Sequence, residues 1–183
     1  MTQQALTFAT AFLTLREYLD EHHGAGAFHR VRDGLAARGL QLDPVIVPHR
    51  WYPTATLCTA LDLARERYGP DDFYERYGRA AAERQVHLAF RFLLRFTTPA
   101  WLWQRGAGMW RRAHTTGVWN IESRGRWVRG TLSDFGVVHV GYCRMLVGWL
   151  TRACEMTGAR PGVVNHSACR ALGAAACVFE GEW

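Results

Sequence analysis

Four side chains near the C-terminal end carry the strongest chemical signal: Cys143, His166, Cys169 and Cys177. Structural zinc takes about four nitrogen or sulfur donors in a tetrahedron, commonly three or four thiolates with histidine completing the set. His166 and Cys169 lie three residues apart. Cys177 follows across the small residues Ala171, Gly173, Ala174, Ala175 and Ala176, which let the backbone turn tightly. Any one of these cysteines alone reads as a small buried hydrophobe. Four donors at this spacing predict a single zinc ion with a structural role. One condition attaches. Residues three apart on an uninterrupted strand point to opposite faces, so the strand must end, bend or bulge near Ala168. Cys58 and Cys154 fit no donor pattern and read as core or surface thiols. Cys154 shares a helix with Cys143 but lies about three turns away, too far for a common ion.

The elements that must position these donors follow from periodicity and punctuation. Leu6, Phe8, Phe12, Leu13, Leu15 and Leu19 suit one core-facing opening helix. Gly24 and Gly26 break it, and a second helix runs to Arg38-Gly39, where glycine fits a helix end. Pro44, Pro48 and Pro53 hold the next stretch extended. Thr54 predicts a cap for a helix ending at Gly69-Pro70. Asp71 and Asp72 open the longest helix, through RYGRAAAERQVHLAFRFLLRF. Thr97-Thr98-Pro99 starts another, with proline in its first turn.

After His114 the pattern changes. Val118, Trp119, Trp127 and Val128 flank Ser123-Arg124-Gly125-Arg126, which reads as a hairpin. Tyr142, Leu146, Trp149 and Leu150 mark an amphipathic helix closed by Gly158, and the terminal segment reads as a second hairpin around Leu172-Gly173. The expected fold class is α+β. A helix-rich N-terminal half (1–114) packs on a small antiparallel sheet in the C-terminal half (115–183), two hairpins flanking a helix, all in one domain.

Composition bounds the function. The 183 residues suffice for one substantial core, and 49% hydrophobic and 21% charged residues are ordinary for a soluble chain. Eight tryptophans are not ordinary. They point to core packing or to the wall of a ligand cavity. The net charge of +6 comes from arginine alone, with no lysine, and looks like a GC-rich bacterial coding bias. The arginines are dispersed and no nucleic-acid-binding motif accompanies them, so nucleic acid is not an expected partner. The N-terminal stretch lacks the basic region and cleavage site of a secretory signal, and no run reaches the ~18 apolar residues of a membrane span. A cytoplasmic location with reduced or metal-bound cysteines is expected.

The stretch GYCRMLVGWLTRACEMTG followed by HSACRALGAAACVFEG resembles the 4-vinyl-reductase-type domain, a relative of the TRAPP trafficking-subunit fold and of haem nitric-oxide-binding domains. The likeness covers about Gly117 to Trp183 well and the front half loosely. RWYPTATLCTALDLARERYG is similar to a myxobacterial family without assigned function. In vinyl-reductase-type sensors a helix-borne cysteine, an acidic residue and two cysteines hold one zinc. The resemblance carries that order onto Cys143, His166, Cys169 and Cys177, with His166 replacing the usual glutamate. It also implies a cavity for a small hydrophobic or aromatic ligand, lined by candidates His87, Phe90, Trp101, Trp103, Trp110, Trp119 and Trp127. The implied function is a non-enzymatic sensory module, dimeric, signalling through a separate partner. Two alternatives stand beside it: a TRAPP-like interaction scaffold, and a tetrapyrrole binder using His87, His114 or His139. Catalysis is least supported, since four donors leave no open metal position and no nucleophile-elbow or phosphate-loop motif occurs. Cys143 as a nucleophile with His139 as its base is the one catalytic arrangement the spacing permits.

Overall fold

The computed structural model describes residues 4–69, 71–86, 93–159 and 164–183. The architecture is α+β, as expected. The opening segment is not one helix. Leu6–Phe8 forms strand β1, and helix α1 begins only at Thr10 and runs to His23. β1 pairs antiparallel with β2 (Trp51–Pro53), so its backbone groups are satisfied by a partner distant in sequence. Helix α2 (Ala27–Ala37) follows the glycine break, and α3 spans Thr54–Tyr68. Thr54 is not the cap: Pro53 occupies that position, and the buried Thr54 Oγ1 has no hydrogen-bond partner. Helix α4 (Phe73–Gln85) ends where Val86 turns extended, short of the length expected from the sequence.

Helix α5 (Pro99–Ala113) starts as predicted, with the Thr98 hydroxyl accepting from the Trp101 N–H at 3.2 Å and proline in the first turn. Strands β3 (Val118–Arg124) and β4 (Trp127–Ser133) form the first hairpin. Helix α6 (Val140–Met156) then leads to β5 (Asn165–Ala168), a 3₁₀ turn at Arg170–Leu172, and β6 (Cys177–Glu182). The four strands lie in the order β3-β4-β6-β5, so the second hairpin adds to the first through β6 against β4. Alternation sets the faces: Val128, Leu132, Cys177 and Phe179 are buried, while Arg129 and Glu180, paired in register, sit on the other face and join at 2.9 Å. Gly130 is part of this inner face. A Cβ there would lie 2.7 Å from the Trp119 ring and 3.0 Å from that of Trp103, so its lack of a side chain makes room for both indoles.

The helical half docks on the sheet through α4 and α6, which meet backbone to backbone. A Cβ on Gly78 of α4 would stand 2.0 Å from the Met145 carbonyl oxygen, and one on Gly148 of α6 would stand 2.0 Å from that of Glu75. Neither neighbour is a flexible side chain that could move aside. Ion pairs run along this seam, with Arg144 on Glu75, Arg152 on Glu83, and Arg79 and Arg152 both on Glu155. Gly78→Ala and Gly148→Ala are each predicted to destabilise the fold by about 2 kcal/mol or more, since overpacking outweighs alanine's better helix propensity. Chemical denaturation checks this: unchanged midpoints would mean that the helices do not touch here.

Candidate ligand cavity and donor cluster

A cavity of about 340 Å³ lies where α4, α5 and α6 meet the sheet and the β1–α1 junction. α4 contributes Tyr77, Ala81 and Gln85, and α6 contributes Tyr142, Met145, Leu146, Trp149 and Leu150. α5 runs along it from Leu102 to Ala113, a length of about 16 Å at the helical rise. Of the residues expected to line a pocket, Trp103, Trp110 and Trp119 do so. Trp101 does not: it points outward from α5 and is 41% exposed. Trp127 does not either, because it falls in phase with Arg129 on the far face of the sheet, with that guanidinium 5.4 Å from its ring. His87 and Phe90 lie outside the described residues.

Three indole N–H groups of the wall are bonded back into the protein. Trp103 Nε1–H donates to Cys154 Sγ at 3.2 Å, Trp110 Nε1–H to the Thr116 carbonyl at 2.9 Å, and Trp149 Nε1–H to Gln85 Oε1 at 3.0 Å. The Tyr77 hydroxyl donates to the Ala11 carbonyl. What remains facing inward is mostly carbon. Burial pushes the hydroxyls of Tyr77 and Tyr142 well above the ordinary tyrosine range.

His114, at the end of α5, was not expected among the ligand residues, although the tetrapyrrole alternative included it. It pairs Nε2 with the Tyr142 hydroxyl at 3.2 Å, lies against Trp110 with ring centroids 3.9 Å apart and the rings tilted by 32°, and leaves Nδ1 buried without a partner. Burial alone drives its pKa down to about 3, so it is a neutral imidazole at any ordinary pH. The unfolded histidine is protonated below about 6.5, so the folded state loses stability as pH falls from there toward 3, by roughly 1.4 kcal/mol per unit. His114→Gln is predicted to lessen acid destabilisation between pH 6 and pH 4. Parallel stability curves for the two proteins would show that His114 titrates normally.

The second feature is the donor cluster. Cys143, His166, Cys169 and Cys177 each bring a ligand atom within 4.8 Å of the others. Cys143 sits in the first turn of α6, whose start is held by His139. The His139 Nδ1 accepts from the Tyr142 N–H at 3.0 Å, and its Nε2–H donates to Asp62 Oδ2 at 2.9 Å. Both ring nitrogens are therefore engaged, which removes His139 as a general base for Cys143. His166 and Cys169 reach one point because β5 shifts register between His166 and Ala168, the irregularity that their spacing required. Cys177 opens β6.

The sulfurs of Cys143 and Cys177 are 3.5 Å apart, and those of Cys169 and Cys143 are 4.0 Å apart. Both distances are far beyond a disulfide of about 2.05 Å. They are close to the ~3.8 Å that a tetrahedral ion with metal–sulfur bonds of about 2.3 Å would impose. Hydrogen bonds from Cys143, His166 and the Arg170 N–H draw the Cys177 thiol down toward the thiolate, and the same sharing pushes the Cys143 thiol up. Without a cation, the buried sulfurs cannot all ionise together. Cys58 and Cys154 lie elsewhere in the core, and burial raises both thiols, to about 12 and about 11.

No family model matches the chain, and no curated relative matches it. Solved structures do. An H-NOX protein from S. oneidensis in the Fe(II) state, carrying a triple mutation, aligns with a TM-score of 0.70 at 16% identity, over 96% of this chain and 95% of that one. An H-NOX domain from Shewanella oneidensis in the Fe(II)CO state, a histidine-to-glycine mutant, gives a TM-score of 0.71 at 15% identity over 96% and 98%. An Fe(II) unliganded H-NOX protein mutant from K. algicida gives 0.65 at 10% identity over 96% and 95%. The fold is therefore the haem-NO-binding fold that the sequence resemblance included. The vinyl-reductase, TRAPP and myxobacterial likenesses rest on the sequence alone.

These structures also correct the cofactor. They are described by Fe(II), and a further H-NOX structure by haem distortion. None of these descriptions names zinc, and zinc is withdrawn as the cofactor of this chain. The described residues do not fit a haem either. An axial ligand needs a donor open to the cavity. His114 is the one imidazole among the described lining residues, its Nε2 is taken by Tyr142, and its Nδ1 is sealed from solvent. The cysteine donors belong to the separate cluster.

Proposed function

We propose that this chain is a non-enzymatic small-molecule-binding module of sensory type, with a compact apolar molecule seated in the cavity between helices and sheet. The observation that carries this reading is the wall: about 340 Å³ bounded largely by carbon, with the indole N–H groups of Trp103, Trp110 and Trp149 bonded back into the protein. That volume lies at the small end of ordinary ligand pockets. Such a wall favours an aromatic or aliphatic body, which gains burial without leaving wall donors unsatisfied. An open interior also counts against the scaffold alternative, which needs the space filled by side chains. The haem of the H-NOX structures supports a ligand at the heart of this fold, while among the described residues His114 offers no donor open to the cavity for a haem iron.

Transmission runs through α6. It lines the cavity with Tyr142, Met145 and Leu146 and carries Cys143 in its first turn, so displacing it moves the β5–β6 hairpin. In this reading Cys143, His166, Cys169 and Cys177 bind one thiophilic metal ion that ties helix to hairpin. A second copy of the chain or a separate output protein receives the change.

Two measurements test the two parts. Gly106 lines the cavity on α5, and a Cβ there meets nothing within 4 Å. Gly106→Leu is therefore predicted to fill the space, raise helix stability by a few tenths to about 1 kcal/mol, and abolish binding of an uncharged apolar fluor such as N-phenyl-1-naphthylamine. Unchanged binding in that variant would refute the cavity reading, as would stoichiometric uptake of added haem with a sharp Soret band by the wild type. For the cluster, elemental analysis should find about one metal ion per chain, and Cys169→Ser should lose it together with several kcal/mol of stability. A metal-free wild type as stable as Cys169→Ser would remove the ion from the account.

A further inference from the structure

Helix α5 has an outer face of unusual composition. At the helical repeat, Trp101, Arg105, Gly108 and Arg112 form one stripe, flanked by Gln104 and Arg111 on one side and Met109 on the other. All of these positions are exposed, Trp101 at 41% and Met109 at 45%. α5 carries arginine but no aspartate or glutamate, whereas every other described α-helix bears an acidic side chain. Arginines on other elements are matched by carboxylates, as Arg144 is by Glu75 and Arg152 by Glu83. Arg105, Arg111 and Arg112 have no such partner among the described residues. Placement in the last turn lets Arg111 and Arg112 complement the helix dipole, but Arg105 in mid-helix has no such role. The segment just before the helix continues the composition: Leu93 and Phe96 are 57% and 77% exposed, and the exposed Arg95 lies between them.

Exposed indole, thioether and guanidinium groups without counter-charge suit an anionic phospholipid surface. Its charge attracts the arginines, and its headgroup layer accepts an indole. The arginine stems lie along the apolar layer while their heads stay wet. An acidic protein would satisfy the charge as well. The cavity decides between the two. Met109 and Arg112 belong to this outer face and also line the cavity, together with the exposed Thr10 of α1, so the cavity opens onto the face. An apolar ligand is scarce in water and concentrated in a bilayer, so an opening laid on lipid meets it directly.

We infer that α5 is a peripheral membrane-docking helix. Its outer face lies on an anionic phospholipid surface, anchored by Trp101 and held by Arg105, Arg111 and Arg112, with the cavity opening toward the lipid. The choice of lipid over protein rests on the cavity reading above. No helix among the described residues is long and apolar enough to cross a membrane, so the contact is interfacial. No bond is made or broken.

Co-sedimentation of the full chain with phosphatidylcholine vesicles, with and without one-third phosphatidylglycerol, tests this. The anionic vesicles should bind roughly tenfold tighter or more, since each arginine near such a surface contributes roughly fivefold. Arg105→Gln combined with Arg111→Gln should lose most of that preference. The same double variant should bind N-phenyl-1-naphthylamine in solution like the wild type, because neither arginine lines the cavity. Phospholipid brominated in its acyl chains should quench the tryptophan fluorescence of the wild type more than that of Trp101→Phe. Equal affinity of the wild type for both vesicles, binding to neither, full binding by the double variant, or equal quenching of the two proteins would overturn the docking face. Capture by poly-glutamate without vesicle binding would also overturn it, giving the face to an acidic protein. Vesicle binding by a wild type that takes up no naphthylamine would support the docking face and remove the cavity reading.

Discussion

The contact between α4 and α6 at Gly78 and Gly148 is the constraint from which the rest of the site follows. Two helices that touch through their backbones hold a fixed separation, and here that separation sets one side of the cavity. Tyr77, Ala81 and Gln85 project from one helix and Tyr142, Met145, Leu146 and Trp149 from the other into the space beside the contact. The ion pairs along the seam add little individually, since they are partly exposed. Their value is alignment along a pair of helices already fixed by close packing.

From α6 the constraint passes to the sheet by two routes. One is mechanical: Cys143 meets the donors of the β5–β6 hairpin within two residues of the cavity-lining Tyr142. The other is polar. His139 caps α6 while holding Asp62 of α3, and Asp62 also accepts from Tyr74 of α4 at 2.5 Å. Three helices are therefore registered at the point where the donor cluster begins. The interior keeps its neutral character because burial leaves His114, Tyr77 and Tyr142 uncharged.

The parts legible in the sequence are those decided locally. Thr98-Pro99 marks the start of α5, Gly158 stands just past α6, and the two-residue turn between Arg124 and Trp127 closes the first hairpin. The donor spacing even required the irregularity at Ala168. The parts that escaped are decided by distant partners. Leu6 and Phe8 fit a helical stripe with the residues after them, yet β2 captures them as a strand. Gly78 and Gly148 look like weak points in two helices until the helices are seen to touch. Tryptophan count alone cannot tell a cavity wall from a surface. Strand alternation could have separated Trp119, which shares a face with Leu132, from Trp127, which shares one with Arg129. What occupies the cavity was hidden from this kind of reasoning, because a metal-donor pattern says nothing about what fills a space elsewhere in the fold.

A crystal structure of the chain purified from cells without extraction tests the central claim most directly. Density for a compact, non-porphyrin organic molecule enclosed by Trp103, Trp110, Trp119 and Tyr142 is the expected result. Side chains collapsed into that space, or a porphyrin coordinated by a protein nitrogen, would contradict it.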